Sequence, residues 1–395
     1  MKALKRLARR AELRERAGLN RELSDRDTDD ELIDLASNDY LGLSRHPRVV
    51  AAAREALATW GLGAGGSRAV RGTTTEHSLL ERDLADQLRT HSALVYSSGY
   101  LANLGLIGAL AQGRTRILLD AHSHASLHDA ARRSTGLSQT WKHNDLSDLR
   151  AKLDQHSGPT LVVCESVYSV CGDAAPLSGL HALVVRHPDA LLIVDEAHAL
   201  GVTGPSGAGE VVGANLAGSD RIIVTATLSK ALGAAGGVVA GPEVLRRHLQ
   251  DTSRPFIYDT ALPPSVAAGA REGLRIARES DLLRAELATR AATAARELGV
   301  VTPAAGVLSI PAADAYAATH WATACRQRGV AVGCFRPPST PDPRSRLRVT
   351  INSSVSKSKF RSALNVIKET RPCLTDPSSS PALTLVSARP SPRRP

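Results

Sequence analysis

The chain is short of aromatic residues, with three Trp, six Tyr and three Phe among 395. None of these rings interleaves a run of Lys or Arg. A nucleic-acid binder combines a basic folded face with rings on which bases stack, so that class is excluded. No uncharged apolar run reaches ~18 residues, the length that spans a bilayer as a helix, so no membrane segment is expected. The five cysteines, at 164, 171, 325, 334 and 373, are odd in number and form no C-x-x-C pair. That pattern argues against a disulfide frame and for reduced thiols, hence a cytoplasmic protein. The N-terminal run MKALKRLARRAELRER is basic but lacks the apolar core of a secretory signal. Glu12 and Glu15 also count against a transit peptide, which leaves an amphipathic helix as the expectation. The glycines show no period, so collagen is excluded as well.

Charge is unevenly spread. Of a net +10, residues 1–16 hold seven Lys/Arg against two Glu, and residues 371–395 hold four Arg against one Asp. The 354 residues between them carry only +2. The globular body is therefore nearly neutral. Its modest basic excess suits a polyanionic small molecule, such as a nucleotide or coenzyme A, better than a nucleic acid.

The length suggests two or three domains, or one large α/β domain with a smaller partner. Residues 1–44 read as a basic helix followed by an acid-rich arm, SDRDTDDE. Residues 45–262 alternate helical stretches with short aliphatic runs: ALVYS at 93–97, RILLD at 116–120, TLVVCE at 160–165, ALLIVDE at 190–196, RIIVTAT at 221–227 and GGVVAG at 236–241. Continuous apolar strands separated by helices describe a mostly parallel sheet buried on both faces, hence the α/β class. Residues 263–370 open on long Ala/Arg/Glu-rich helices and read as a smaller α+β domain. The tail 371–395 holds six Pro and five Ser, a composition that favours disorder.

Ligands of open parallel sheets bind beyond the carboxyl ends of the strands. The residues just past each run are Ser98-Gly99-Tyr100, Asp120 to His124, Glu165 to Ser169, Asp195 to His198, and Thr227 to Lys230. Lys230 follows a buried strand and precedes the small-residue run ALGAAGG, which lets another group come close. A lysine desolvated in such a cleft loses its proton readily and forms a Schiff base, although a single Lys is more often a solvated surface group. Asp195 ends ALLIVD, where a carboxylate is costly unless it meets a cation; a helix cap or a metal ligand is the plain alternative. Gly99-Tyr100 opens the helical stretch LANLGLIGAL, whose free N–H groups suit a phosphate. That signal is weak alone. His124 in SHASLHDAA suits the flat face of an aromatic cofactor, whereas a capping or core His is the commoner role.

In combination these spacings resemble the α-oxoamine synthases, which are fold-type I pyridoxal-phosphate acyltransferases. The matching blocks, in order, are ASNDYLG (36–42), GAGGSRAVRG (63–72), SSGY (97–100), SHASL (123–127), ESVYSVCGDAAP (165–176), DEAHALGV (195–202) and TLSKALG (227–233). The resemblance implies pyridoxal phosphate as cofactor and Lys230 as the residue that carries it and moves the substrate proton. It implies Asp195 at the pyridine nitrogen, His124 on the ring face with a catalytic part, and His198 and Ser169 at the phenolic oxygen. Gly99, Tyr100 and Thr227 would surround the phosphate, and Arg348 would clamp the amino-acid carboxylate, with Asn38 and Thr350 beside it. A further substrate-binding Arg of the family falls near Asn20, with Arg21 adjacent. The run after Arg348, NSSVSKS, departs from the Ala-x-His that the family commonly carries.

The blocks SSGYLANLG, SRPFIYDT and GCFRPPS look most like members that join L-alanine to a pimeloyl thioester of coenzyme A or a carrier protein. The rival is a sibling reaction, glycine with acetyl-CoA or serine with a long acyl-CoA. The family resemblance also implies a homodimer, the glycine-rich loop of one chain reaching the site of the next. A nicotinamide oxidoreductase would need G-x-G-x-x-G after an early strand, but GLGAGG follows the helical AAAREALATW. A metal hydrolase on Asp120, His122, His124 and His128 fails because their spacing does not place three on one face; no metal is expected. A non-catalytic binding relative would have no need of Lys230, Asp195 and His198 together.

Overall fold

The structure, a computed structural model, describes residues 2–21 and 23–372. Eleven strands occur among them: β1 (Ile33–Leu35), β2 (Ser92–Tyr96), β3 (Arg116–Asp120), β4 (Leu137–Trp141), β5 (Thr160–Glu165), β6 (Ala190–Asp195), β7 (Ile222–Thr227), β8 (Gly237–Gly241), β9 (Val307–Pro311), β10 (Val330–Phe335) and β11 (Arg346–Thr350). The six apolar runs of the sequence are β2, β3 and β5 to β8, each within a residue of its expected place. Together with β4 they form one sheet in the order β2-β8-β7-β6-β5-β3-β4. All neighbours in it are parallel except β8, which runs antiparallel to both β2 and β7.

The apolar runs are continuous because both faces of this sheet are covered. Leu118, Val162, Leu192, Val224 and Val238 point into one core, while Ile117, Leu161, Val163, Ile193, Ile223 and Val239 point into the other. This is the two-residue period of a pleated strand with helices on each side. The helix Thr75–Leu88 supplies Leu80, Leu84 and Leu88 to the first core. The helix Gly99–Leu110 supplies Ala102, Leu106 and Ile107 to the second.

Strand β4 went unread in the sequence. Its residues LSQTW are exposed except Trp141, because it is the sheet's edge and has no second face to bury.

The second sheet has the order β1-β10-β11-β9. β1, from the N-terminal arm, pairs parallel to β10, and so ties that arm to the carboxyl-terminal part of the chain. Beyond residue 263 the helix Pro264–Arg278 packs on the helices Pro47–Trp60 and Thr75–Leu88, whereas the helix Asp281–Leu298 packs against β9 and the helix Lys357–Glu369. The first helix, Lys2–Arg16, forms as expected and exposes Leu4, Leu7 and Leu13. Of the tail 371–395, residues 373–395, Cys373 included, lie outside the described residues. No described helix is long and apolar enough to cross a membrane.

Candidate active site

Parallel pairing brings the carboxyl ends of β5, β6 and β7 side by side, and each ends on a polar group. Glu165 sits in register with Asp195, and Asp195 with Thr225, two residues before Thr227. Three residues past β7, the Lys230 ammonium reaches His198 Nε2 at 2.7 Å. His198 Nδ1 meets the Tyr40 hydroxyl at 2.5 Å, so the imidazole is fixed from both sides. Burial, then the positive charge of Lys230, holds His198 well below its ordinary pKa and keeps it neutral. Burial also brings Lys230 down to about 8, against the opposing pull of Asp195 and Glu165. Glu165 is pushed up to about 8 by burial and by the neighbouring Asp195. Tyr40 rises to about 12 for want of solvent.

Asp195 is held from below. Its Oδ2 accepts from Asn103 Nδ2 at 2.8 Å, and its Oδ1 from the Ala197 N–H at 2.9 Å. The same Asn103 nitrogen donates to Ser126 Oγ at 2.9 Å, and Ser126 Oγ lies 2.8 Å from His124 Nδ1. A single chain of contacts thus orients Asp195 and the His124 ring together. His124 caps the helix Ala125–Arg133 through Nδ1, as its plain alternative role would have it, yet its ring stays exposed.

The start of the helix Gly99–Leu110 closes the other end. Ser98 caps it, accepting from the Leu101 N–H at 3.2 Å. A Cβ on Gly237 would lie 2.5 Å from the Gly99 nitrogen, and one on Gly99 would meet the Thr227 Cβ at 3.0 Å. Small residues therefore let the helix N-terminus sit against Thr227, whose Oγ1 lies 2.7 Å from Ser229 Oγ. The Tyr100 side chain leaves this cradle and donates its hydroxyl to Asp129 at 2.7 Å. Only its backbone N–H belongs to the cradle.

Arg348, on β11, is 4% exposed. Its Nε donates to the Ser169 carbonyl at 2.7 Å, and its Nη1 donates to Asn38 Oδ1 at 3.0 Å and Thr350 Oγ1 at 3.1 Å. No carboxylate lies within ion-pair distance of it among the described residues. A guanidinium stripped of water without an anion is a costly arrangement, and a ligand carboxylate relieves it. Arg21 donates to Ser339 Oγ at 2.6 Å, and no described bond joins it to the Lys230 cluster.

These residues fit pyridoxal phosphate chemically. An aldehyde needs an amine that gives up its proton, which Lys230 supplies. A ring nitrogen needs a buried anion, Asp195. A ring face needs a flat partner, the exposed His124, and a phosphate needs N–H groups and hydroxyls, found at Gly99, Tyr100, Thr227 and Ser229. Four participants had no assigned role in the sequence: Tyr40, Asn103, Ser126 and Glu165. All four fall inside the quoted blocks, but the partners of Tyr40 and Asn103 lie 158 and 92 positions along the chain.

Residues 30–367 match the aminotransferase class I and II family. An 8-amino-7-oxononanoate synthase from Mycolicibacterium smegmatis is 47% identical over 361 residues, covering 91% of this chain and 94% of that protein. One from Mycolicibacterium gilvum is 44% identical over 358 residues, covering 90% and 94%. Among solved structures, a serine palmitoyltransferase from S. paucimobilis with a bound PLP–myriocin aldimine superposes with a TM-score of 0.86 at 29% identity, covering 93% of this chain and 97% of its own. An 8-amino-7-oxononanoate synthase from Francisella tularensis gives 0.75 at 28%, covering 86% and 98%. The backbone alone does not separate these two reactions, as expected where chemistry resides in sites rather than folds. The chain belongs to the aminotransferase class I and II family, and within it to the α-oxoamine synthases, the fold-type I group that contains the 8-amino-7-oxononanoate synthases.

Proposed function

We propose that the protein condenses L-alanine with a pimeloyl thioester, on coenzyme A or a carrier protein, to give 8-amino-7-oxononanoate for biotin synthesis, releasing the carrier and carbon dioxide. The observation that carries this reading is the buried Arg348 without a carboxylate partner, close enough to Lys230 for its charge to act there. Names of relatives at 44–47% identity supply the product, and the family resemblance supplies the substrates.

Bound pyridoxal phosphate supplies an electron sink for the bonds at the amino acid's Cα. The rest falls to the chain. Arg348, its Nε and Nη1 fixed by Ser169, Asn38 and Thr350, offers its charge and Nη2 to the substrate carboxylate and so orients the bond to be broken. Lys230 Nζ takes the Cα proton and returns it. Asp195, braced by Asn103 and Ala197, keeps a proton on the ring nitrogen. Neutral His198, held between Lys230 and Tyr40, does not compete with Lys230 for the proton.

Arg348→Lys keeps the charge but loses the Ser169, Asn38 and Thr350 contacts that hold the guanidinium in place. Alanine binding should weaken by about 1.5–3 kcal/mol, the worth of a charge-assisted hydrogen bond, while affinity for the thioester changes little. Titration of the cofactor's absorbance with L-alanine, glycine and L-serine, with acyl-CoA competition, measures both. Loss of thioester binding instead would move Arg348 to the acyl site. A preference for glycine or serine in the parent protein would establish the sibling reaction.

A two-fold homodimer follows from the same reading, with a cytoplasmic location resting on the cysteine pattern. Trp60 and Leu62 precede the glycine-rich loop and Val70 lies within it, at 40%, 83% and 84% exposure, and a second copy would cover these apolar side chains. Sedimentation should give a dimer at assay concentrations. An active monomer there would sink the assembly.

A further inference from the structure

Away from the Lys230 cluster, His143 follows the edge strand β4 and bridges two carboxylates that belong to different parts of the chain. Its Nδ1 lies 2.8 Å from Asp120 at the end of β3, and its Nε2 lies 2.8 Å from Asp173. Asp120 is fully buried and also accepts from the His122 and Asn144 N–H groups, at 2.7 and 2.9 Å. Asp173 sits in a tight hairpin over residues 166–175, closed by the Val167–Ala174 bridge and by the Tyr168 N–H to the Asp173 carbonyl at 2.9 Å.

That hairpin carries the Arg348 contact. Ser169 at its tip gives its carbonyl to Arg348 and takes its own N–H to Glu165 at 3.0 Å. The Gly172 carbonyl accepts from Ala304 at 2.8 Å, and Gly172 at φ +77° packs so near Val307 that a Cβ would fall 2.0 Å from its carbonyl oxygen. On its other side the hairpin is joined to the large sheet through His143 and through Asn144, whose Nδ2 donates to Asp173 at 3.0 Å and to the Ala174 carbonyl at 3.1 Å. We propose that His143 is a positioning residue for amino-acid recognition: by bridging Asp120 and Asp173 it fixes the hairpin whose Ser169 carbonyl orients Arg348. This rests on the reading of Arg348 as the carboxylate clamp.

The titratable groups that face His143 are Asp120 on β3, Asp173 and Tyr168 on the hairpin, and His122, stacked on it at 3.7 Å. Cys171 lies behind His122. Burial disfavours the imidazolium, but the two aspartates outweigh it and raise His143 to about 9. Burial and the charge on His143 lower His122, so the upper ring of the stack is neutral. Below about pH 9 His143 therefore donates from both nitrogens. Above it, one nitrogen turns a lone pair toward a carboxylate, and the bridge weakens.

His143→Gln can donate to only one aspartate. In the holoenzyme, the dissociation constant for L-alanine should rise about 10-fold, the effect of one lost charge-assisted bond, with KM for the pimeloyl thioester unchanged. In the protein freed of cofactor, amide exchange over 166–175 should accelerate by about the same factor, with 190–195 unaffected. Asp173→Asn, a gentler change, should shift both readouts the same way and move the alkaline loss of alanine affinity toward neutral pH. A lower melting temperature with unchanged alanine affinity, or unchanged exchange in the hairpin, would overturn the proposal and leave His143 as simple support. Arg348→Lys run in parallel separates the two levels. If it weakens alanine while His143→Gln does not, only the positioning role fails; if it does nothing, the clamp beneath it fails first.

Discussion

Lys230→Ala is expected to lower turnover by at least about 10³-fold, within the range for removing a positioned proton-transfer group and a covalent anchor together. Borohydride treatment should fix the cofactor to Lys230 in the parent protein and to no residue in the variant. The pH dependence has a definite sign. Only the uncharged amine attacks an aldehyde, and Lys230 lies at about 8. Covalent uptake of pyridoxal phosphate by the cofactor-free protein should therefore speed up with pH, about tenfold per unit below 8, and level off above it. Glu165, also near 8, loses its proton over the same range and raises Lys230 as it does so, which broadens the curve. An uptake rate flat between pH 6 and 9, or a reduced adduct mapped to another lysine, would remove Lys230 from the centre of the site.

What the sequence made legible follows from how each feature is encoded. The apolar runs that became β3, β5, β6 and β7 are continuous because both faces are buried, and a run of that kind announces its own ends. Residues at those ends, Asp195, Thr227 and Lys230 among them, were therefore found by position. Strand β4 carried no such signal, since only Trp141 of its five residues is buried. Asn103 is similar in kind. It sits on a helix whose apolar pattern explains its neighbours, and its partner Asp195 lies 92 positions away. Nothing local says that the amide turns inward. The Tyr40 hydroxyl, 158 positions from His198, is equally silent in one dimension. Tyr100 shows the converse: the glycine before it marks the helix start correctly, but its own ring goes to Asp129, a choice set by packing.

The second large effect is expected at Asp195. Asp195→Asn preserves the shape and still accepts the Ala197 N–H, so the fold should survive. What it loses is the anion that keeps a proton on the ring nitrogen, and with it the cofactor's ability to draw electrons from Cα. A preorganised charge of this kind is worth roughly 3 kcal/mol of barrier, a fall of about 100-fold or more in kcat. The charge change has a second consequence with the opposite sign. Asp195 at present raises Lys230, so neutralising it should let the amine titrate lower still and shift the cofactor-uptake curve to lower pH. The variant is thus expected to take up pyridoxal phosphate at lower pH than the parent while turning over far more slowly. A purely structural Asp195 predicts a different pair of results, a lowered melting temperature with kcat near normal. Measuring uptake, melting and kcat on the same preparation separates the two, because no loss of folding produces faster covalent attachment at Lys230.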